Sequence, residues 1–184
     1  MKLSGEIYEY IKQEAIDIFI RYDVKCTPIN GYEIAQKMGI ILIPYSALKD
    51  EIQYRTAKRI SQDGFYFEPG DGKEYIYYNN VMSYERSNMT ILHEIGHCVL
   101  GHTSKTDLEQ AEAEANFFAK YAIAPPPLVH FFKPKRPEDI QKYFCISYEA
   151  ANNALAYYYK WLIHGKVKYT KYEKELLNLF KFAG

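Results

Sequence analysis

The five residues His93-Glu94-Ile95-Gly96-His97 constrain this chain more than any other stretch. Apolar residues surround them at helical spacing, which predicts a helix over about residues 84–100. In a helix, side chains four positions apart project from nearly the same face. His93 and His97 can therefore present two imidazoles to one metal ion, while Glu94 lies about 100° around the helix axis.

This pattern, H-E-x-x-H, is typical of zinc hydrolases. The two histidines hold the zinc ion, and the glutamate takes a proton from the activated water without being a ligand. A five-residue pattern with three fixed positions also arises by chance. The motif alone therefore leaves the existence of a metal site open, and the downstream sequence has to supply a third ligand.

His102 is the nearest further candidate for the metal site. The longer zinc motif H-E-x-x-H-x-x-G-x-x-H places its third histidine six residues after the second, whereas His102 follows His97 by five. Leu100 and Thr103 stand at the glycine and third-histidine positions of that motif, so the long-motif class is excluded. We interpret His102 as a residue at the end of the helix or as a hydrogen-bond partner of a metal ligand. His102 and the many tyrosines are also the candidates for stabilising an oxyanion, and the sequence does not choose among them.

A glutamate from a second helix, predicted over residues 107–122, is the other solution. Glu112 and Asn116 are four residues apart and share a face, so the carboxylate can ligate the metal while the amide hydrogen-bonds another ligand. Glu114 lies about 200° from Glu112 on the helical wheel, and the two are not expected to ligate one ion. We prefer Glu112 as the third ligand and keep Glu114 as the alternative.

Together these motifs carry a family resemblance. The chain reads H-E-I-G-H-x-x-L-G-H, then E-x-E-A-N-x-F-A, then proline after the second helix, and it resembles the ImmA/IrrE family of metallo-endopeptidases. Residues 32–40 and 139–151 are also similar to family segments, so the resemblance covers about residues 25–157. It implies His93, His97 and a glutamate of the second motif as zinc ligands, and Glu94 as the catalytic base.

The resemblance also implies a fold. We expect an α+β protein whose residues 1–132 form a zincin-like metallopeptidase domain with a small mixed sheet packed on the H-E-x-x-H helix. Residues 133–184 are expected to form a C-terminal helical, helix-turn-helix-like extension packed on that domain. Because Cys145 replaces the usual turn glycine and few basic residues follow Ser147, this extension is interpreted as a packing or partner-contact region.

Local patterns predict the remaining elements. Residues 64–68 and 74–78 read as a hairpin, and residues 46–60 as a loop with one helical turn. The strand over residues 75–79 is the candidate sheet edge along which a substrate strand adds. Further strand and helices are predicted at residues 40–43 and at residues 4–22, 32–37, 137–143, 148–164 and 170–181.

The predicted function is that of a zinc-dependent endopeptidase, a hydrolase that cuts a regulatory protein. A helix-turn-helix transcriptional repressor of a mobile element or stress response is the substrate that the resemblance implies. The alternative is a non-enzymatic, zinc-stabilised interaction or DNA-associated regulatory protein. Its structural zinc would need four protein ligands, with His102 or Cys98 as the nearby candidates, whereas Glu94 is useful only to catalysis.

Composition narrows the setting and the partners. The net charge is zero, and direct nucleic-acid binding is not expected. Three scattered cysteines without C-x-x-C spacing favour reduced thiols and a cytoplasmic protein. No signal peptide is visible, and no segment approaches about 18 uninterrupted apolar residues, so no membrane association is expected.

Overall fold

The structure is a computed structural model that describes residues 2–103, 105–165 and 168–181. The chain divides into two compact units. The first consists mainly of Asn30–Ala119, and the second combines Leu3–Ile29 with the residues from Lys120 onward. Among the helices of the described residues, none has both the length and the apolar character needed to cross a membrane.

The described elements follow the predicted ones closely. In chain order they are α1 (Gly5–Arg21), α2 (Gly31–Met38), β1 (Ile41–Pro44), α3 (Glu51–Ile60), β2 (Gly64–Phe67), β3 (Tyr75–Tyr78), α4 (Tyr84–Val99), α5 (Leu108–Ile123), α6 (Pro126–Phe132), α7 (Pro137–Phe144), α8 (Tyr148–Gly165) and α9 (Lys171–Lys181). The observed strands, and all the described helices except α3 and α6, begin and end within one residue of their predicted ranges. α3 and α6 were not predicted. The α+β class with a small mixed sheet is therefore confirmed.

The strand order of the sheet is β1-β3-β2. β3 pairs in parallel with β1, where Leu42 faces Ile76, and antiparallel with β2, where Tyr66 faces the same residue. The prediction that residues 75–79 form an edge strand was wrong, because β1 crosses over and covers the side of β3 that the hairpin leaves open. β2 is an edge strand of this sheet, and it packs against α4.

Local hydrogen bonds cap both ends of α4, the H-E-x-x-H helix. The Oγ of Ser83 accepts a hydrogen bond from the Arg86 N–H at 3.4 Å, as an N-cap residue does. After the helix, Gly101 has φ +67°, and the N–H groups of Gly101 and His102 donate back to carbonyls of the last turn. This Schellman arrangement needs a left-handed residue, which glycine adopts without strain.

Two close approaches fix α4 in the first unit. The buried Asn88 side chain accepts a hydrogen bond from the Gly31 N–H at 2.7 Å, which ties α2 to α4. At Gly64 of β2, an added Cβ would lie 2.7 Å from the Thr90 Cγ2 and 2.8 Å from the Tyr77 carbonyl oxygen. The absence of a side chain at Gly64 therefore lets the edge strand lie directly on the helix.

Two helices were missed from the sequence. Residues 46–60 contain α3, whose N-cap is Asp50 and whose buried member is Ala57. With so little apolar surface to bury, its helical periodicity is weak in the sequence. Pro125 does end α5, but Pro126 and Pro127 then begin α6, because the first turn of a helix tolerates proline.

The second unit consists of helices, with α1 against α9 and α8 against α6 and α7. The predicted division into residues 1–132 and 133–184 does not coincide with the two units, since α1 belongs with the C-terminal helices. In the segment predicted to be helix-turn-helix-like, Cys145 between α7 and α8 takes φ 50°. The role of this helix-turn-helix-like segment as a packing or partner-contact region stays a prediction.

We expect Gly64→Ala to destabilise the protein by about 1–3 kcal/mol, the usual range for overpacking. The new methyl group would push against a backbone carbonyl and a helix side chain, so β2 would have to move away from α4. Urea unfolding followed by circular dichroism measures the change. Gly5→Ala is the matched control, because a Cβ there meets nothing within 4 Å; equal stability of the two variants would contradict the prediction.

Candidate metal centre

Three side chains from α4 and α5 converge on one point. His93 and His97 lie one helical turn apart on α4, and their Nε2 atoms are 3.0 Å apart. From α5, the Glu112 carboxylate places one oxygen 3.5 Å from the His93 Nε2 and the other 3.4 Å from the His97 Nε2. Within the described part of the chain, these three residues are the group whose geometry could hold a metal ion.

The separations between these atoms fit a zinc ion. Metal–ligand distances of about 2.0–2.1 Å in a tetrahedron place neighbouring ligand atoms about 3.3 Å apart. The observed separations of 3.0 to 3.5 Å lie around that value. The Glu112 side chain is 49% exposed, so the cluster is open to solvent on one side, as a catalytic site requires for water and substrate.

Both imidazoles are held in the form that binds metal. Burial lowers the pKa of His93, and burial together with the neighbouring imidazoles lowers the pKa of His97 to about 4. A histidine has to be neutral at the nitrogen that ligates a metal. The two rings are therefore neutral at physiological pH and carry a lone pair available for coordination.

Glu94 lies beside this cluster without belonging to it. Its side chain is buried, and one carboxylate oxygen accepts a hydrogen bond from the Tyr66 N–H of β2 at 2.8 Å. Burial raises the pKa of Glu94 to about 8, and the nearby Glu112 carboxylate adds to the rise. A divalent cation in the cluster would act in the opposite direction, because a nearby positive charge favours the ionised carboxylate.

Each imidazole has a hydrogen-bond partner behind it. His93 bonds to the side chain of Asn116. The Nδ1 of His97 lies 2.9 Å from the Nδ1 of His102, whose Nε2 lies 2.9 Å from a carboxylate oxygen of Glu114. Of the two glutamates considered as third ligand, Glu112 thus lies in the cluster and Glu114 bonds to His102.

Other candidates from the sequence lie elsewhere. The Cys98 thiol donates a hydrogen bond to Glu74 at 3.0 Å and is no member of the cluster. Both ring nitrogens of His102 are occupied, so its ring has no hydrogen bond to give to an oxyanion. The sequence did not predict the bond from Tyr66 to Glu94. The two residues are far apart along the chain, so no local pattern of residues indicates that they meet.

A cleft of about 580 Å³ opens over the cluster. Its lining includes Phe65, Tyr66 and Phe67 of β2 on one side and Glu94, His97 and Glu112 on the other. An edge strand and the metal cluster therefore border the same space. This arrangement can hold an extended chain next to the cluster and to the Glu94 carboxylate.

Comparison with known proteins agrees with this chemistry. A sequence profile of a peptidase family, described as the IrrE N-terminal-like domain, matches residues 46–156. That range contains α4, α5 and all the residues of the cluster. No curated protein matches the chain. Because the profile covers more than half of the sequence and confirms the resemblance, the chain belongs to the peptidase family of the IrrE N-terminal-like domain.

Proposed function

We propose that this protein is a zinc-dependent endopeptidase that cuts a regulatory protein. The observation that carries the proposal is the position of Glu94, buried beside a His-His-Glu cluster and bordering a cleft. A carboxylate is costly to bury without a partner, and a closed structural zinc site has no use for one. Membership in a peptidase family supports the same reaction class.

In this proposal His93, His97 and Glu112 would hold a zinc ion, which would activate a water molecule and polarise the scissile carbonyl. Glu94 accepts the proton of the attacking water and later donates it to the leaving amine. The Tyr66 N–H fixes one oxygen of Glu94 at 2.8 Å, which leaves the other oxygen for proton transfer. Water attack and loss of the amine together break the peptide bond and leave an acid and an amine.

The substrate is proposed to add as a strand along β2. In antiparallel pairing, the N–H and C=O of one residue point to the same side of the strand. The Tyr66 N–H points to Glu94 and away from β3, so its carbonyl also faces the open edge. A peptide bonded to that edge lies next to Glu94, which agrees with the β-augmentation seen in many peptide-binding proteins.

The identity of the substrate rests on the family resemblance. A helix-turn-helix transcriptional repressor, cut in the cytoplasm, is the proposed substrate. The alternative function, a zinc-stabilised interaction or DNA-associated protein, calls for a fourth protein ligand. The cluster among the described residues has three members, which favours catalysis.

Replacing Glu94 by glutamine should lower peptide cleavage by about 10²–10⁴-fold, the usual contribution of a general base, while zinc content is retained. The amide keeps the shape of the side chain but cannot accept the proton. Cleavage of a labelled substrate and metal analysis of the same sample provide the two measurements. Glu109→Gln, on the exposed side of α5, is the matched control and should cleave at the wild-type rate; full activity of Glu94→Gln would refute the mechanism.

Replacing Glu112 by alanine should abolish stoichiometric zinc binding, as should His93→Ala, because a three-ligand site loses a whole ligand. Zinc per protein chain is measured after dialysis against metal-free buffer. Glu109→Ala removes a carboxylate from the same helix and should keep one zinc per chain. A wild-type zinc content in Glu112→Ala would rule out Glu112 as a ligand.

The substrate class is tested with the zinc-loaded protein and the transcriptional repressor encoded beside its gene. We expect one or a few cuts in the repressor, identified by mass spectrometry and missing in the Glu94→Gln sample. A peptide mixture prepared from a cell digest serves as a second substrate. Cleavage of the mixture without cleavage of the repressor would refute the substrate class alone, whereas no cleavage of either would refute the peptidase function.

A further inference from the structure

The two nitrogens of the His97 ring have different surroundings. Its Nε2 lies in the metal cluster, 3.0 Å from the Nε2 of His93 and 3.4 Å from a Glu112 oxygen. Its Nδ1 points the other way and lies 2.9 Å from the Nδ1 of His102. A neutral imidazole has one N–H and one lone pair, so the contact with His102 bears on which nitrogen of His97 is free to bind metal.

His102 is brought to this position by the end of α4. Gly101 takes its left-handed conformation directly after the helix, and the His102 N–H donates to the His97 carbonyl at 3.0 Å. The chain therefore turns back, and the ring of His102 lies beside that of His97, with centroids 5.0 Å apart. Its side chain is 6% exposed, which limits the competition of water for its nitrogens.

Glu114 closes the chain of contacts. One carboxylate oxygen lies 2.9 Å from the Nε2 of His102, and the other accepts a hydrogen bond from the Gln110 amide at 2.7 Å. The Glu114 side chain is 13% exposed, against 49% for Glu112. The more buried of the two glutamates is thus fully engaged away from the metal cluster.

The contacts with Glu114 and His102 favour one order of protons. An ionised carboxylate accepts hydrogen bonds only, so the proton of a neutral His102 lies on Nε2, towards Glu114. The Nδ1 of His102 then carries a lone pair and needs a donor, which is the Nδ1–H of His97. The Nε2 of His97 is left with its lone pair, directed into the cluster. The opposite order would set two acceptors 2.9 Å apart at Glu114 and place a proton on the ligating nitrogen.

We propose that His102 and Glu114 are positioning residues that hold His97 in the tautomer whose Nε2 binds metal. The proposal rests on the zinc site of the proposed function and extends it to two residues that do not touch the ion. His93 relies on the neutral amide of Asn116, so the two histidines differ in their support. The carboxylate acts on His97 through the intervening ring, as outer partners of metal-binding histidines do.

The tautomer itself is measured in the metal-free wild-type protein by long-range ¹H–¹⁵N NMR of the histidine rings. The proposal requires the proton on Nδ1 of His97 and on Nε2 of His102. A proton on Nε2 of His97 in this protein would overturn it. This measurement needs no variant, so it decides the question even where a substitution prevents folding.

Zinc affinity, measured by competition with a chelating dye, tests the coupling in series. His102→Phe keeps a planar ring without nitrogens, and Glu114→Leu removes the carboxylate; each should weaken zinc binding by about 10- to 100-fold. Glu109→Leu on the exposed side of α5 should bind zinc like the wild type. Because Glu114 acts through His102, the double variant should lose no more affinity than His102→Phe alone.

Unchanged zinc affinity in both single variants, or losses that add in the double variant, would overturn the proposed relay, that is, the action of Glu114 on His97 through His102. Additive losses are what two independent structural contributions to the fold would give. Neither measurement involves a substrate. A protein that binds zinc with these properties but cuts no peptide would refute the proposed function and leave the relay intact, whereas cleavage with the proton on Nε2 of His97 would refute the relay alone.

Discussion

The candidate metal centre depends on how closely α4 and α5 approach each other. At Gly96, the fourth residue of the H-E-x-x-H motif, an added Cβ would lie 3.1–3.2 Å from the Phe118 side chain. Glycine at this position therefore gives the aromatic ring of α5 room against α4. With the helices this close, the Glu112 carboxylate comes within 3.5 Å of both motif histidines. A bulkier residue would have to move Phe118, and with it the Glu112 carboxylate.

Close packing also sets the electrostatics of the site. Burial disfavours the charged form of every titratable group, which lowers the pKa of both motif histidines and raises that of Glu94. Neutral imidazoles suit metal binding, and a divalent cation would in turn favour the ionised form of Glu94. The same desolvation thus keeps the two imidazoles neutral and would make a bound cation a stabilising partner of the Glu94 carboxylate.

The edge strand connects the sheet to this chemistry. Gly64 lets β2 lie on α4, and two residues later the Tyr66 N–H reaches the Glu94 carboxylate. The strand that donates a hydrogen bond to Glu94 is also the strand whose open edge borders the cleft. One element therefore serves two purposes, because alternate backbone groups of an edge strand face away from its sheet. In the proposed function, binding of a peptide to β2 and orientation of Glu94 would be coupled through this geometry.

The sequence by itself determined the described helices other than α3 and α6, the hairpin and the metal-binding motif, because each of these depends on residues a few positions apart. Helical spacing placed His93 and His97 on one face, and the 200° separation of Glu112 and Glu114 on the helical wheel allowed only one of them at a shared ion. Local caps and periodicity also gave element ends to within a residue. α3 was not predicted because it buries little apolar surface beyond Ala57, so the helical spacing of its apolar residues is weak.

Only the tertiary structure decided the contacts between distant elements. The strand order put β3 at the centre and β2 at the edge, since a parallel crossover has no short-range signature. The bond from Tyr66 to Glu94 and the contact of His102 with Glu114 join residues on different elements. Which residues meet in these contacts follows from how the helices and strands pack. Packing is a property of the whole fold, and no local pattern of residues specifies it.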